Sequence, residues 1–422
     1  MAVHPVLEHL LAGSGDDVIL EAAGRPCTRG QLIARTISLA NGSSIQPGQR
    51  VAVPRPSGLE SLAWMLAVHL RGGIAWLDAQ PGAGEYTPDT SSPLTYAVAT
   101  SGSTGAPKRV ALTVENVRST TVQIGHRLDL DTHDRVLCAV PLSHTYGLST
   151  LWCAIAASAS ILLPTLPMLG GDLSRQAADA TVLVLVPTQL RTLVAAVRAN
   201  GALFPRLRMV TLAGQRTSPA ERQSAAASFP GVDFIVCYGM TEATTRVTMQ
   251  RAGDFLSRPD CVGTALPHVA TRLRDGELLV RGPSVAAGYF DNPVASNMAF
   301  ANDELRTGDC AELVQGEWRI LGRKDGMVKR YGEKVFPEQV EAAIAPHPCV
   351  ADVAVRAETR DQGEPLLIAR LVLSAPVSDA ELRRDLKSLL PPQALPDRFE
   401  RVDEIERTST GKVRYRGPGK KG

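Results

Sequence analysis

The stretch Ala99-Thr-Ser-Gly-Ser-Thr-Gly-Ala-Pro-Lys108 alternates glycines with hydroxyl side chains and ends on a lysine. Gly102 and Gly105 allow the backbone to turn tightly, so that several N–H groups can face one small anion. The hydroxyl groups belong to Thr100, Ser101, Ser103 and Thr104. Together with the Lys108 ammonium, these donors suit a polyphosphate. The same composition is also typical of a flexible surface loop.

The flanking residues favour the phosphate-binding interpretation. The run Tyr96-Ala-Val-Ala99 predicts a strand that enters the loop, and Val110-Ala-Leu112 predicts one that leaves it. The loop is not a Walker A motif, because Ala106 and Pro107 stand between the second glycine and the lysine.

Two further segments place polar side chains after apolar runs. In Phe234-Ile-Val-Cys-Tyr-Gly-Met-Thr-Glu242, a predicted strand leads to Tyr238, Gly239 and the pair Thr241 and Glu242. Ligands of α/β proteins bind where such strands end. In Arg306-Thr-Gly-Asp309, the carboxylate offers two acceptor oxygens, although an aspartate after a glycine is otherwise an ordinary turn residue.

Two charged segments follow towards the carboxyl end. They read Gly322-Arg-Lys-Asp-Gly-Met-Val-Lys-Arg-Tyr-Gly-Glu-Lys-Val-Phe-Pro-Glu-Gln-Val-Glu341 and Arg407-Thr-Ser-Thr-Gly-Lys-Val-Arg414. On their own they are typical of a solvated connector and a polar tail.

The five segments, taken in this order, resemble the motifs of the adenylate-forming enzymes, which include acyl-CoA synthetases, nonribosomal-peptide adenylation domains and luciferases. The corresponding family patterns are TSGSTGxPK, YGxTE, TGD, GRxDxxIKxxGxxVxPxxIE and xTxxGKxxR. Glu406 departs from the pattern, since the family usually has a proline there.

The resemblance implies a role for each motif residue. Tyr238 would stack on adenine, Thr241 would meet the α-phosphate, and Glu242 would hold Mg²⁺. Asp309 would accept the ribose hydroxyls, Arg323 would contact ribose or phosphate, and Lys412 would be the catalytic lysine. The residues expected to bind ATP are Thr100, Ser101, Gly102, Ser103, Thr104, Gly105, Lys108, Gly214, Tyr238, Gly239, Asp309 and Arg323.

The acyl pocket is expected near Pro141-Leu-Ser-His-Thr-Tyr-Gly-Leu148, which we interpret as a loop. His144 and Tyr146 match the family segment beside that pocket, and His144 is a candidate catalytic residue. Where the family has a Gly-Gly-Ala-like turn that contacts the acyl group and adenine, this chain has Ala213-Gly-Gln215. The amino-acid-activating members of the family carry an aspartate in this region that pairs with the substrate α-amino group. None appears near His144, so the resemblance implies an aryl or a short or medium acyl acid and not an amino acid.

The pattern of apolar runs predicts an α/β fold. Strands are predicted at 18–21, 51–53, 74–77, 135–140 and 182–186, and helices at 28–39, 58–70, 114–127 and 188–200. Short strands after Glu242 predict a small β subdomain. With the resemblance, these predict an N-terminal adenylation domain over 1–323, built from layered α/β sheets and shortened at its start. A small α+β lid domain is predicted over 324–422, with helices at 337–345 and 379–390 and the hinge at Asp325.

Composition limits the alternatives. A chain of 422 residues can bury a large core, and its net charge of +2 gives no reason to expect nucleic acid or an anionic membrane as partner. The sequence carries no long apolar run, so we expect a cytoplasmic protein. Seven scattered cysteines without CxxC spacing indicate neither a disulfide framework nor a zinc site. The segment Met168-Leu-Gly-Gly-Asp-Leu-Ser174 is similar to a carrier-protein site, but its serine is displaced, so we interpret it as a plain loop and helix start.

The resemblance implies a two-step ligase. ATP and Mg²⁺ would convert a small carboxylic acid to an acyl-adenylate, and the acyl group would pass to a pantetheine thiol of coenzyme A or a separate carrier protein. Three alternatives stay open: transfer to an amine or another non-thiol acceptor, a P-loop kinase or ATPase, and a relative that only binds nucleotide.

Overall fold

The computed structural model describes residues 4–54, 57–77, 79–81, 84–100, 107–164, 178–201, 204–360, 363–406 and 413. Within these ranges helices and strands alternate along the first half of the chain, and the strands form layered sheets. The predicted α/β class is confirmed.

The largest sheet has nine strands, in the order β13-β12-β11-β10-β9-β7-β8-β1-β2. They are β1 Val18–Ala22, β2 Arg25–Thr28, β7 Arg135–Cys138, β8 Ser160–Leu163, β9 Val182–Leu185, β10 Met209–Leu212, β11 Asp233–Tyr238, β12 Thr248–Met249 and β13 Thr264–Ala265. The strands from β1 to β11 along this order pair in parallel. All four residues of β9 are buried, as expected of an apolar strand covered on both faces.

A second sheet has five strands, in the order β16-β6-β5-β4-β3. They are β3 Arg50–Val53, β4 Ile74–Leu77, β5 Leu94–Ala99, β6 Arg109–Thr113 and β16 Gly288–Phe290. One hydrophobic core joins this sheet to the nine-stranded sheet. Within that core the Trp152 indole donates a hydrogen bond of 3.2 Å to the Tyr96 hydroxyl. The two sheets are therefore packed layers.

The predicted small β subdomain is a third sheet of five strands. Four of them follow the order β14-β15-β18-β17, and the fifth, β19, pairs with β18. Its strands are β14 Ala270–Arg274, β15 Glu277–Arg281, β17 Phe300–Ala301, β18 Glu304–Val314 and β19 Glu317–Arg323.

The carboxyl-terminal part has its own hydrophobic core. The hairpin β20 Val328–Arg330 and β21 Glu333–Val335 leads into a three-stranded sheet of β22 Val350–Glu358, β23 Leu366–Leu373 and β24 Arg398–Arg401. Two helices pack on this sheet, as the helix, strand, strand, helix pattern predicts. The strand β24, which pairs in parallel with β23, was not predicted.

The helices that the structure describes are α1 Pro5–Ala12, α2 Arg29–Asn41, α3 Leu59–Leu70, α4 Val114–Leu128, α5 Thr145–Ala156, α6 Pro187–Asn200, α7 Pro219–Ser228, α8 Asp254–Ser257, α9 Pro293–Ala299, α10 Pro337–Ile344 and α11 Asp379–Leu386. None of them is both long enough and apolar enough to cross a membrane. The start of α2 follows from its sequence, because Thr28 and Gln31 form a reciprocal capping box.

Most predicted boundaries lie within two residues of the observed ones, and the differences that bear on the site or the carboxyl-terminal part are these. The strand predicted over 135–140 ends at Cys138, and the helix predicted over 379–390 ends at Leu386. The segment interpreted as a loop over 141–148 becomes α5 at Thr145. Ten of the twelve residues of α5 are buried, so its sequence lacks the polar face that marks an exposed helix.

Candidate active site

Two neighbouring strands of the five-stranded sheet hold the ends of the Gly/Ser/Thr-rich stretch. Ala99 at the end of β5 lies opposite Arg109 at the start of β6. The Thr100 N–H donates to the Lys108 carbonyl at 2.9 Å, and the Lys108 N–H donates to the Thr100 hydroxyl at 3.2 Å. Residues 101–106 lie outside the described part of the chain. The two ends of the stretch are therefore bonded to each other at one sheet edge.

The Lys108 side chain points to a buried tyrosine and glutamate. Its ammonium lies 4.9 Å from the centroid of the Tyr289 ring, a cation–π distance. The Tyr289 hydroxyl donates a 2.8 Å hydrogen bond to Glu242 Oε1. Tyr289 reaches this place because β16 pairs with β6, which sets it opposite Val110. The loop lysine and the glutamate of the second motif are thus linked through one phenol ring.

Burial and the neighbouring carboxylate both act on Tyr289. Burial raises the pKa of its phenol, and the charge and hydrogen bond of Glu242 raise this pKa further. Tyr289 therefore keeps its proton at neutral pH and acts as a donor to Glu242.

The turn after β11 brings Thr241 and Glu242 to the first turn of α5. Residues Thr241–Ala243 form a short 3₁₀ helix, and the Thr145 and Thr241 hydroxyls lie 3.5 Å apart. His144 is the N-cap residue of α5, so it lies at the end of the predicted loop, directly before the helix. His144 and Thr241 are consequently near each other in the fold although 97 positions separate them.

At the end of β11, Tyr238 contacts the β subdomain. Its hydroxyl donates a 2.6 Å hydrogen bond to Asp309 Oδ2, and the Arg323 guanidinium lies 3.3 Å from Asp309 Oδ1. Burial raises the pKa of Tyr238, and the Asp309 charge adds to this effect. Burial on its own would lower the pKa of Arg323, but the carboxylates of Asp309 and Asp325 raise it overall.

Two glycines of the site are required by geometry. A Cβ on Gly239 would lie 1.4 Å from the Thr245 carbonyl oxygen, so only glycine fits beneath that turn. Gly214 has φ of 91°, a backbone conformation that residues with a Cβ rarely adopt. The neighbouring Gln215 has a buried Nε2 without a hydrogen-bond partner among the described residues.

These contacts gather the described members of four motifs at the adjoining edges of the two large sheets. The chain matches the family model described as AMP-binding enzyme over residues 75–290, which is just over half of its length. The chain belongs to the AMP-binding enzyme family. Residues 339–412 match the model described as AMP-binding enzyme C-terminal domain.

Among individual relatives of this AMP-binding enzyme, the indoleacetate–CoA ligase of Aromatoleum aromaticum is 30% identical over 355 residues, which cover 80% of this chain and 68% of that ligase. The 2-succinylbenzoate–CoA ligase of Listeria monocytogenes is 28% identical over 324 residues, covering 74% of this chain and 67% of that ligase. This chain therefore spans about two thirds of the length of these ligases.

Solved structures agree in fold. The O-succinylbenzoate coenzyme A synthetase (MenE) from Bacillus subtilis in complex with AMP superposes with a TM-score of 0.86 at 21% identity, covering 98% of this chain and 97% of that one. ATP-bound MatB from Rhodopseudomonas palustris gives a TM-score of 0.88 at 23% identity, with the same coverage. The AMP-binding enzyme described here therefore has the same arrangement of a large N-terminal and a small C-terminal domain.

Ten of the predicted site residues lie at the edges of the two large sheets or on the adjoining β subdomain. They are Thr100, Lys108, His144, Gly214, Tyr238, Gly239, Thr241, Glu242, Asp309 and Arg323. Asp325 lies just beyond β19, two thirds exposed, with its carboxylate 3.2 Å from Arg323 Nε. Ser101, Gly102, Ser103, Thr104, Gly105 and Lys412 lie outside the described residues, as does the segment 168–174.

Tyr289 is the contact residue that sequence reasoning missed. It lies in the three-residue strand Gly288–Phe290, where nothing in the local pattern distinguishes a site residue from a core aromatic. Its partner Glu242 is 47 positions away, so only the strand pairing shows the contact.

Proposed function

We propose that this enzyme activates a small carboxylic acid with ATP, releasing pyrophosphate, and then passes the acyl group to a pantetheine thiol of coenzyme A or of a carrier protein. One observation carries the proposal: the loop lysine Lys108 and the acidic Glu242 lie on the same phenol ring of Tyr289, beside Thr241. A cation, a carboxylate and a hydroxyl in one place suit a triphosphate and its metal ion. The names of the relatives, which are CoA ligases, support the thiol acceptor.

A carboxylate is a poor acyl donor, because the group that would leave is an oxide. In the proposed first step, one substrate carboxylate oxygen attacks the α-phosphorus, and the bond to the β-phosphate oxygen breaks. Negative charge develops on both sides of that phosphorus, so positioning and electrostatics provide most of the catalysis. We assign the leaving pyrophosphate to Thr100, Lys108 and the loop between them, and the incoming carboxylate to Lys412.

Glu242 fits a magnesium ion. Its side chain is 9% exposed, and Tyr289 is the only described residue that bonds its carboxylate. The described part of the chain holds no cluster of three or more His, Cys, Asp or Glu side chains that would form an all-protein metal cage. One carboxylate is what Mg²⁺ uses when phosphate oxygens and water supply its remaining ligands. When bound, the ion would neutralise charge on the departing pyrophosphate.

The nucleoside is assigned to the second cluster. We propose that adenine stacks on Tyr238 and that Asp309 accepts the ribose hydroxyls, with Arg323 beside them. The hydrogen bond from Tyr238 and the ion pair with Arg323 hold the Asp309 carboxylate in place, which supports this assignment. We assign Gly214 to the wall between the acyl and adenine sites, and its φ of 91° is one that residues with a Cβ rarely adopt.

We also propose that the chain divides into residues 1–323 and 324–422, with the hinge at Asp325. After adenylation the smaller unit would rotate, removing Lys412 and bringing the segment 329–335 to the thiol. The support is local: Asp325 is exposed, and its charged contact in this conformation is with the neighbouring Arg323.

Product analysis tests the proposed function. The full chain is incubated with Mg-ATP, a panel of aryl and aliphatic acids, and either coenzyme A or pantetheine. We expect AMP and pyrophosphate in amounts equal to the thioester formed. Release of ADP and phosphate would contradict the proposal and favour a kinase or ATPase. If AMP forms without thioester, and an amide forms when an amine is supplied, the acyl acceptor is a non-thiol group.

A further inference from the structure

Four arginine side chains are buried in the described part of the chain: Arg29, Arg222, Arg246 and Arg330. Three of them cap backbone carbonyls. Arg29 donates to His9 and Leu10, Arg222 to Phe255 and Cys261, and Arg330 to Gln393 and Leu395. A guanidinium that satisfies two main-chain oxygens has a structural role. Arg246 is different, since its described partners include no backbone carbonyl.

The groups around Arg246 are neutral. Its guanidinium donates to the Ser149 hydroxyl at 2.9 Å and to the Thr150 hydroxyl at 3.4 Å, and it lies 4.7 Å from the centroid of the Tyr146 ring. Its Nε is buried, and no described oxygen or nitrogen atom accepts a hydrogen bond from it; the neutral Cys237 thiol is the other side chain beside the guanidinium. Among the described residues no carboxylate lies within ion-pair distance of it. Arg246 is 1% exposed, so it is shielded from bulk solvent as well.

The nearby thiols and the phenol do not supply the missing negative charge. Burial raises the pKa of Cys138 to about 12 and that of Cys153 to about 11, and it raises the pKa of Cys237 as well. Burial also raises the pKa of the Tyr146 phenol. All four groups are therefore protonated at neutral pH. Because an arginine stays charged in proteins, a positive charge is buried here without a counter-ion from the described part of the chain.

Arg246 lies where the acyl group is expected. Its ring partner Tyr146 and its hydroxyl partners Ser149 and Thr150 belong to α5, which begins at the segment assigned to the acyl pocket. The half-buried Tyr146 also bonds Thr211 at 2.9 Å, near the end of β10, which leads to Gly214 and Gln215.

We propose that Arg246 binds a second anionic group of the acid substrate, so that the enzyme activates dicarboxylic acids. One carboxylate reacts at the α-phosphorus, and the other pairs with the guanidinium at the far end of the acyl pocket. This inference rests on the proposed function, because it concerns the acid that is adenylated. A fixed cation in a site of low polarity favours the dianion over the monoacid of the same skeleton, since the monoacid leaves the cation unpaired.

The test uses pairs of acids that differ by one carboxylate: isophthalate with benzoate, and glutarate with butyrate. Acid-dependent exchange of labelled pyrophosphate into ATP is measured for the wild type and for Arg246→Met and Arg246→Lys. We expect the wild type to favour the diacid of at least one pair by about 100-fold in kcat/KM. Arg246→Met should remove this preference, because activity with the diacid falls much more than activity with the monoacid, and Arg246→Lys should retain part of it.

Arg222→Met is the matched control, because Arg222 is an equally buried arginine that bonds backbone carbonyls. It can lower stability, but it should leave the ratio of diacid to monoacid activity unchanged. Far-ultraviolet circular dichroism and Mg-ATP binding show whether each variant is folded.

Binding separates the failure of this inference from failure of the proposed function. Isophthalate and glutarate are titrated by calorimetry into the wild type and Arg246→Met in the presence of a non-hydrolysable ATP analogue. If either diacid binds at least tenfold more tightly to the wild type than to Arg246→Met, the anion site is supported. If no acid drives exchange in the same protein, that second result contradicts only the proposed function. Equal or undetectable binding to both proteins, or equal loss of diacid and monoacid exchange in Arg246→Met, would overturn the inference.

Discussion

Glu242 and Asp309 each accept a hydrogen bond from a buried tyrosine, at 2.8 Å from Tyr289 and at 2.6 Å from Tyr238. In both pairs the phenol stays protonated, because burial and the adjacent carboxylate raise its pKa. At Glu242 the donor fixes Oε1, and no described residue bonds Oε2. At Asp309 the Tyr238 hydroxyl fixes Oδ2, and the Arg323 guanidinium lies 3.3 Å from Oδ1. Each tyrosine is thus a positioning residue for the carboxylate that we assign to Mg²⁺ or ribose.

Tyr289→Phe tests this role for Glu242. The substitution keeps the ring beside Lys108 and removes only the hydroxyl, so a hydrogen bond to a charged group is lost. We expect adenylation to fall by about tenfold at limiting Mg²⁺, with a smaller loss at saturating Mg²⁺. Pyrophosphate exchange measured over a range of Mg²⁺ concentrations gives the result.

Tyr86→Phe is the control for that measurement, because the Tyr86 hydroxyl bonds no described residue. A Tyr289→Phe enzyme with the same Mg²⁺ dependence as the wild type would show that the hydroxyl does not position Glu242.

The site residues that could be identified from the sequence share one property: the residues that form each motif are close together in the chain. Tyr238, Thr241 and Glu242 follow one strand, and Thr100 to Lys108 form one loop. Tyr289 and Arg246 were not identified as site residues, since the partners that define their roles are distant in sequence. Tyr289 meets Glu242 through the pairing of β16 with β6, and Arg246 meets Tyr146 through the packing of α5.

At the level of elements, α1 is attached to the core through two stacked histidines. The rings of His4 and His69 are 4.2 Å apart and nearly parallel, and both pack against the edge of Tyr96. The His69 Nδ1 lies 3.0 Å from the Thr95 hydroxyl, and neither ring nitrogen of His4 has a hydrogen-bond partner among the described residues. The sequence could not show this pair, because 65 positions separate the two histidines.

This pair predicts acid sensitivity. Burial is the main cause that lowers the pKa of His4, followed by His69 and Arg118, and burial lowers the pKa of His69 to about 3. Both rings are therefore neutral in the folded state, whereas the unfolded chain binds two protons below about pH 6.5. The stabilising contribution is complete above that pH and is lost as the pH falls towards 3, by up to about 1.4 kcal/mol per pH unit for each ring.

Urea unfolding followed by tryptophan fluorescence at pH 7 and pH 5 measures this dependence. His4→Phe keeps an aromatic ring in the stack and removes one titrating group, so its unfolding free energy should fall less between the two pH values than that of the wild type. His126→Gln, at an exposed position, should behave like the wild type. The same pH dependence in all three proteins would mean that the pair does not couple folding to protonation.

At the scale of the whole molecule, most of the layered α/β architecture could be predicted from alternating apolar runs. The helix α5 was missed because a helix buried on nearly every side shows no amphipathic period. The strand β24 was missed because its partner β23 lies across a helix in the sequence. The packing of the two large sheets through one core also had no local signal. The start of β6 and the turn after β11 both contact Tyr289, through Lys108 and Glu242.

The proposed division at Asp325 predicts opposite effects for two variants. Lys412→Ala should lower adenylation by about 10²–10³, as loss of one transition-state charge contact does, and should leave thioester formation from a supplied acyl-adenylate much less affected. Asp325→Pro restricts the backbone at the hinge and should impair thioester formation more than adenylation. Each half-reaction is measured separately. Equal losses in both half-reactions for Lys412→Ala would contradict a two-conformation cycle. If Asp325→Pro impaired neither half-reaction, the hinge assignment would be wrong.

The central claim is that this enzyme forms an acyl-adenylate. Carboxylate-dependent exchange of labelled pyrophosphate into ATP, with no thiol or other acceptor present, tests it most directly. We predict exchange that requires Mg²⁺ and an acid, that is strongest with an acid of the accepted class, and that falls by at least about 10² in Glu242→Gln. The absence of exchange across aryl, aliphatic, dicarboxylic and amino acids, from a folded chain that binds Mg-ATP, would contradict the claim.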